Sequence, residues 1–297
     1  MKFLETKFFF IAILIMIPME LFYNSFLSES YLNQILFFLI PLIWPGLAHG
    51  SLDITIAQKK GIINNNIEII FFVFVYILIP FIFFLLWLSA PNIIFIIFLA
   101  FSMLHFGISD NILKKRELLI FEIPLRGISV ISLPFTFHLD KSIEIFSYFL
   151  VEKEFIEKLA PIFDYLNFFL LFWASVFVIR NYSNFLSSLK QFIFIIEIVL
   201  MFFCFWYFEP LLSFFIYFCF LHSSRHLIDE KINLSLSLKE LILKTIPMTM
   251  LTLLFFLGVL FFYEDKSSYK QISYIVIGLS SLTISHIFLV NFTKIKS

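Results

Sequence analysis

The chain has 297 residues, of which 61% are hydrophobic and only 14% are charged, and its formal net charge at pH 7 is zero. A soluble globular domain is closer to ~45–50% apolar and ~25% charged, so this composition excludes a soluble enzyme and a disordered protein. The zero net charge excludes a nucleic-acid partner, and what remains is a polytopic membrane protein whose surroundings are the lipid bilayer.

Ten apolar runs are long enough to cross the hydrocarbon core of a membrane, which takes ~20 helical residues. The runs are continuous and lack the alternation of a lipid-facing β-strand, so they predict helices. The predicted spans are 7–27, 34–56, 67–88, 91–112, 117–137, 160–180, 190–208, 210–229, 241–263 and 270–291. The predicted fold is therefore all-α, a polytopic transmembrane helix bundle that forms a single integral membrane domain over residues 1–297.

The distribution of lysine and arginine sets the predicted orientation. With the N-terminus inside, fifteen of the 21 Lys and Arg residues are cytoplasmic and five are outside. Cytoplasmic loops are enriched in these residues, so the pattern favours an N-in and C-in topology. The stretch 141–158 is too charged to span, and it is predicted to be an amphipathic helix at the outer interface.

Histidine is the most informative residue type within the spans, because ionisable residues in a membrane are costly and so indicate function. Each histidine within a span follows the predicted outer end of that span by 12 to 16 residues. At 1.5 Å rise per residue, all of them lie roughly 18–24 Å below the outer ends. Histidines used only for packing would not be expected to share one level on four helices. The histidines in question are His49, His105, His222, His226 and His286.

The positions of four of these histidines predict a metal centre. His222 and His226 are at i and i+4, which places both imidazoles on one helix face, and His49 and His105 lie at the same depth. The alternative is that they are hydrogen-bonded contacts between helices. Four imidazoles without a nearby cysteine suit Fe, Cu or Zn. Octahedral Fe(II) held by four histidines would keep two positions open for dioxygen and a substrate.

Acidic and basic residues near the histidines are candidates for orienting them. Asp53 lies four residues after His49, on the same helix face. Asp110 lies five residues after the histidine of the fourth span and is predicted to point partly away. Arg225 is predicted to pair with Asp229 at a helix end, because the two are at i and i+4.

A second charge pair is predicted in the fifth span, where Glu122 and Arg126 are at i and i+4 around Pro124. This pair is interpreted as structural, fixing the helix against its neighbours. Glu197, in the seventh span, has no partner that the sequence makes obvious. Four further side chains are guessed to line a substrate tunnel, with ordinary helix packing as the alternative: Trp44, Met103, Phe106 and Tyr217.

Four motifs in this order resemble those of the Brp/Blh family of membrane β-carotene 15,15'-dioxygenases. They are PGLAHGSLD (Pro45–Asp53), LHFGISD (Leu104–Asp110), RGISVISLPFTFH (Arg126–His138) and HSSRH (His222–His226). The resemblance covers nearly the whole chain. Its specificity comes from the combination, since each motif alone is common.

The resemblance implies an iron enzyme of the prokaryotic cell (inner) membrane, which uses Fe(II) and O2 to cleave the central double bond of β-carotene. Two molecules of retinal result, and a microbial rhodopsin commonly receives them. By motif, the iron ligands fall on His49, His105, His222 and His226. His286 follows a serine where the family often has a proline. The resemblance therefore leaves two roles open for it: it either orients a metal ligand or forms a polar contact between helices.

Two other hypotheses belong to different classes. Membrane lipid desaturases and hydroxylases are di-iron enzymes with more histidines, arranged in HxxxH and HxxHH boxes, whereas this chain has six histidines and no HxxHH motif. A b-type haem protein that carries electrons would use histidine pairs from different helices as axial ligands. Absorption in the Soret region would reveal such a haem.

Overall fold

A computed structural model of the chain describes residues 3–113, 115–185, 188–262 and 268–295. These residues are almost entirely helical and include no β-strand, which confirms the predicted all-α class. The α-helices are α1 (Leu4–Glu29), α2 (Tyr31–Phe37), α3 (Leu39–Pro41), α4 (Asp53–Lys59), α5 (Asn66–Ser89), α6 (Pro91–Ser109), α7 (Arg116–Phe137), α8 (Leu139–Ser147), α9 (Lys153–Phe185), α10 (Leu189–Tyr207), α11 (Pro210–Tyr217), α12 (Ser224–Asn233), α13 (Leu238–Phe262) and α14 (Ser268–Ile295).

The described residues contain ten helical segments that are long and apolar enough to cross a membrane, as the sequence predicts. The most apolar of them is α5, with a mean hydropathy of 3.1, and only 6% of its most apolar window is buried inside the protein. Exposed apolar surface on this scale needs lipid to cover it. The ten helices are therefore consistent with an integral membrane protein, and the N-in and C-in orientation stays a prediction.

The second span is irregular. After α3, a π-helical turn (Leu42–Gly46) and a 3-10 turn (Leu47–Leu52) lead into α4, and Trp44 has extended backbone angles of −144° and 117°. Pro45 lies within this π turn and lacks the N–H that a regular helix would use. His49 consequently lies on the 3-10 turn. The continuous α-helix predicted from His49 to Asp53 is therefore wrong.

The eighth span also departs from a regular α-helix. A π-helical turn (Phe218–Ser223) lies between α11 and α12, with His222 in the turn and His226 in α12. A π turn inserts an extra residue and changes the direction of the side chains that follow, and such turns are frequent at functional sites. The regular α-helix predicted through this span is therefore interrupted at His222, while the shared face of the two histidines stays a prediction.

The charged stretch 141–158 is divided in the structure. Its first part belongs to α8, its last part begins α9, and Leu150 between them has a φ of 59°. A left-handed residue ends a helix because it cannot continue the right-handed backbone. The segment predicted as one interfacial helix is thus two helical pieces joined by a turn.

Tertiary packing groups the chain into two compact units. The first unit comprises Met1–Gly46, Met103–Ser142 and Glu157–His226, and the second comprises Leu47–Ser102, Ile143–Ile156 and Leu227–Ser297. The core of the first unit is rich in aromatic side chains, including Phe9, Phe38, Phe194, Phe205 and Tyr217. The second unit contains smaller aliphatic clusters, one of which includes Ala48, Leu52, Ile56, Leu227 and Leu241.

Within the first unit, the C-terminal part of α6 packs closely against α7 through two glycines. A methyl group built on Gly127 would overlap the main-chain oxygen of Met103, and one built on Gly107 would overlap that of Ile123. Small residues allow helix backbones to approach in membrane proteins. This close contact supports the turn of α6 that carries His105.

Replacing Gly127 with alanine is expected to lower the free energy of unfolding by at least 1–3 kcal/mol, because α6 and α7 would have to move apart. The measurement is denaturant titration of the purified protein in detergent. Gly258→Ala is the matched control, since no atom of the described residues lies within 4 Å of a methyl group at that position. The control is expected to leave stability unchanged or to raise it by about 0.5–1 kcal/mol, because alanine favours the helix. Equal stabilities for the two variants would contradict the close packing.

Candidate functional site

Three of the predicted ligand histidines belong to the first unit, and all are buried. The exposed fractions of His105, His222 and His226 are 4%, 1% and 3%. The rings of His105 and His222 meet edge to face, with centroids 5.2 Å apart and planes at 72°. His105 lies in α6 and His222 lies in the π turn after α11. The fold therefore brings together two imidazoles that are far apart in the sequence.

A carboxylate and a tyrosine hold His222 in place. Its Nδ1 lies 2.9 Å from Oδ1 of Asp110, and the hydroxyl of Tyr217 donates to Oδ2 of the same carboxylate. An ionised carboxylate only accepts hydrogen bonds, so Nδ1 of the imidazole carries the proton and the ring lone pair is on Nε2. Asp110, predicted to point partly away, thus reaches a histidine on another helix.

The four guessed tunnel residues have different surroundings. Phe106 packs its ring against His222 with centroids 4.8 Å apart, and Tyr217 is fully buried beside both. Met103 is half-buried, whereas Trp44 is 38% exposed. The rings of both Phe106 and Tyr217 therefore pack against a predicted ligand, and the hydroxyl of Tyr217 donates to the Asp110 carboxylate.

A buried carboxylate anchors the loop that follows α6. Glu122 accepts hydrogen bonds from the main-chain N–H groups of Ile112 and Leu113, each at 2.8 Å. It also forms the predicted ion pair with Arg126, at 2.8 Å. Asp110 precedes this loop, so Glu122 fixes the chain segment that presents the carboxylate to the histidine.

Glu197 connects the ion pair of Glu122 and Arg126 to Arg225 in α12. Its Oε2 lies 2.5 Å from Nη2 of Arg126, and its Oε1 lies 2.5 Å from Nη2 of Arg225. Thr6 donates a further hydrogen bond to Glu197. Arg225 in turn donates to the main-chain oxygen of Asp110 at 2.5 Å. We call Glu122, Arg126, Glu197 and Arg225 the charged network; it holds Asp110 from both sides.

The second unit contains a similar cluster around His286. Both carboxylate oxygens of Asp53 approach Nδ1 of His286, at 3.0 Å and 2.9 Å, and the hydroxyl of Tyr76 donates to Oδ2 of Asp53. The ring of His49 meets that of His286 edge to face, with centroids 4.8 Å apart. Asp53 was predicted beside His49, and the structure shows that it orients a second histidine.

Tyr76 was not identified from the sequence. It is a lone phenol in the most apolar predicted span, and a polar residue there is the kind of exception that indicates function. His138, the sixth histidine, is of another kind: it is half-buried, and Nε2 lies 3.2 Å from the main-chain oxygen of Trp206.

An apolar cavity of about 210 Å³ lies in the first unit between α1 and the segment formed by α2 and α3. It reaches Phe220, two residues before His222 in the chain. Carbon-rich side chains line it, so it suits a hydrocarbon and offers nothing to a charged ligand. The lining residues include Phe8, Ile15, Met16, Phe38, Pro41 and Phe220.

The donor chemistry of the two clusters fits a transition metal. Neutral imidazole is a ligand for Fe, Cu and Zn, and metal-bound histidines commonly donate their other N–H to a carboxylate. Asp110 and Asp53 provide such a carboxylate for His222 and His286. In this arrangement the lone pair of each ring is on Nε2, which is the nitrogen that would bind a metal, and buried surroundings favour a dry reaction site.

Comparison with known proteins relates the chain to an enzyme family and to a characterised sequence. A family model described as Beta-carotene 15,15'-dioxygenase matches residues 40–294. The chain is similar to the beta-carotene 15,15'-dioxygenase of uncultured marine bacterium 66A03, with 28% identity over 266 residues, which cover 84% of this chain and 90% of the relative. No solved structure matches the chain.

Proposed function

Because the chain belongs to the beta-carotene 15,15'-dioxygenase family, we propose that it cleaves the central 15,15' double bond of β-carotene with O2 and requires iron to do so. The double bond is broken and each of its two carbons becomes an aldehyde carbon, so one carotene and one O2 yield two molecules of retinal. Family membership carries this proposal, and the buried histidine clusters support its iron dependence.

We propose His49, His105, His222 and His226 as the iron ligands. Ferrous iron, when bound, supplies the activation of dioxygen that attack on an unactivated C=C bond needs. The protein side chains orient the proposed ligands. Asp110 keeps the proton of His222 on Nδ1, and the charged network fixes Asp110. An imidazole held in this way binds a metal through Nε2 and gains basicity.

The apolar surroundings of the histidines support a carotene as the substrate. A carotene dissolves in the bilayer and offers no polar group for recognition, so shape and apolar contact must set its position. The ring of Phe106 against His222 and the apolar cavity that reaches Phe220 provide such contacts in the first unit. We propose that this cavity receives part of the hydrocarbon.

Expression of the full chain in a bacterium that accumulates β-carotene tests the function. We expect the orange colour to fade and retinal to appear, measured by chromatography with mass detection. A His105→Ala variant expressed at the same level is expected to leave the carotene intact. Abundant wild-type protein with unchanged carotene and without retinal would refute the proposal.

Metal exchange tests the iron requirement separately. We expect the purified protein to lose carotene cleavage after chelation and to regain it with Fe(II) but not with Zn(II), because zinc has no redox chemistry. Full activity in a metal-free protein would contradict the iron dependence while leaving the cleavage itself in place.

The product and the location are part of the same proposal. We propose that the protein lies in the cell membrane of a prokaryote, where retinal released into the bilayer is available to a microbial rhodopsin. Co-expression with such an opsin in the carotene-producing host is expected to give the visible absorption of the bound chromophore. Retinal that forms without reaching a functional opsin would contradict this handover.

A further inference from the structure

The two units contain the same chain of hydrogen bonds. In the first unit a tyrosine donates to Asp110, whose other oxygen contacts Nδ1 of His222 at 2.9 Å. In the second unit Tyr76 donates to Asp53, which contacts Nδ1 of His286 at 2.9 Å and 3.0 Å. In the first unit the tyrosine and the histidine lie five residues apart in one span, whereas in the second unit the three residues come from α5, α4 and α14. The likeness is therefore one of chemistry and not of local sequence.

Each arrangement fixes the tautomer of its histidine. Asp53 already accepts a hydrogen bond from the phenol, and as a carboxylate it accepts a second one from Nδ1–H of His286. The lone pair of the imidazole is then on Nε2, as it is in His222. A carboxylate behind a histidine is the usual way in which proteins orient a metal ligand.

We propose that His286 is a further metal ligand, positioned by Asp53 and Tyr76 as His222 is by Asp110 and Tyr217. The inference rests on the proposed iron dependence and extends the ligand set beyond the four histidines of the motifs. Asp53 and Tyr76 are positioning residues in this scheme, since they act through the imidazole. The edge-to-face contact with His49 gives the second unit a histidine pair of its own.

The competing explanation is that His286 only joins helices. The contact between α14 and α5 already has a hydrogen bond of its own, because the hydroxyl of Ser285 donates to the main-chain oxygen of Tyr76 at 2.8 Å. A helix contact does not need a buried carboxylate, which is costly within a membrane. The carboxylate is 2% exposed and approaches Nδ1 with both oxygens, as expected for a residue that must hold one ring orientation.

The decisive variant is His286→Asn. The amide nitrogen of asparagine lies close to the position of Nδ1 and can still donate to Asp53, but nothing replaces Nε2. A helix contact would survive this change, whereas a metal ligand would be lost. The test uses full-length protein in detergent, stripped of metal and titrated with Co(II) and with Fe(II). The readouts are the metal dissociation constant and the visible spectrum of bound Co(II), neither of which needs catalytic turnover.

We expect His286→Asn to weaken Co(II) binding by about 100-fold or more and to change its spectrum. Tyr76→Phe keeps the ring and removes the hydroxyl. It is expected to weaken metal binding by ~10–100-fold, which is the usual effect of removing a group that hydrogen-bonds to a metal ligand or its partner. Ser285→Ala is the matched control: it removes a hydrogen bond between the same helices, and it is expected to bind like wild type. Tyr76→Phe also keeps the test decisive should the asparagine variant not fold.

Two outcomes overturn the inference in different ways. If His286→Asn binds metal with the affinity and spectrum of wild type, His286 is only a contact between helices, and the proposed function stands. The same result in Tyr76→Phe has this meaning if the asparagine variant does not fold. A wild-type protein that binds neither Fe(II) nor Co(II) would instead overturn the metal dependence itself, together with this inference. A loss confined to His286→Asn and Tyr76→Phe, with Ser285→Ala unchanged, supports it.

Discussion

Replacing His222 with alanine is expected to abolish both iron retention and β-carotene cleavage. This imidazole is 1% exposed, contacts the ring of His105, and is held through Nδ1 by Asp110. Alanine removes the proposed ligand nitrogen and leaves the buried Asp110 carboxylate without its histidine. Iron content per protein and retinal formation in the carotene-producing host measure the two effects.

The matched control is His138→Ala. That histidine is half-buried and contacts a main-chain oxygen at 3.2 Å, without a carboxylate behind it. The His138→Ala variant is expected to keep its iron and most of its activity. A graded result should come from Asp110→Asn, which is expected to lower iron affinity by ~10–100-fold because it weakens the hold on Nδ1. His222→Ala protein with a full complement of iron would show that the ligand is misassigned.

The ten spans could be predicted because they depend on a local property. A run of about 20 apolar residues is a sufficient signal for a membrane helix whatever its neighbours are. The part of the chain that the structure describes accordingly has ten such segments, with α5 as the clearest. Interruptions within a span are harder to locate. The π turn at Phe218–Ser223 contains no proline or glycine, so no local residue indicates it.

The partners of the ionisable residues depend on tertiary structure and could be predicted only when they lie on one helix turn. The i, i+4 pair of Glu122 and Arg126 is an example that the structure bears out. Asp110 shows the limit, because a helical wheel gives the direction of a side chain but not the helix that it meets. Its partner His222 is 112 residues away. The tyrosines that complete both clusters were likewise beyond local reasoning.

Glu197 has three long-range partners that the sequence left open. Both of its oxygens accept from a guanidinium, one from Arg126 and one from Arg225, and Thr6 adds a third hydrogen bond. All of these contacts are buried within the first unit. Arg126 also pairs with Glu122, and Arg225 also pairs with Glu5 at 3.5 Å. Glu197 is the carboxylate that both guanidinium groups share, so the network is sensitive to its loss.

Glu197→Ala is therefore expected to lower the free energy of unfolding by about 3–5 kcal/mol, since it leaves two buried guanidinium groups without their shared carboxylate. Arg225 also donates to the main-chain oxygen of Asp110, so iron affinity is expected to fall as well. Denaturant titration in mixed micelles measures the first effect, and metal content measures the second. Glu197→Gln keeps one acceptor oxygen and is expected to fall between alanine and wild type.

Lys141→Gln provides the comparison with an ion pair near the surface. Lys141 and Glu209 are 3.9 Å apart, and their side chains are 44% and 28% exposed. Solvent screens such a pair, so its loss is expected to change stability by only ~0–1 kcal/mol. If Glu197→Ala were as mild as Lys141→Gln, the charged network could not be what holds Asp110. A loss of iron with stability intact would instead mean that Glu197 acts on the histidine cluster and contributes little to folding.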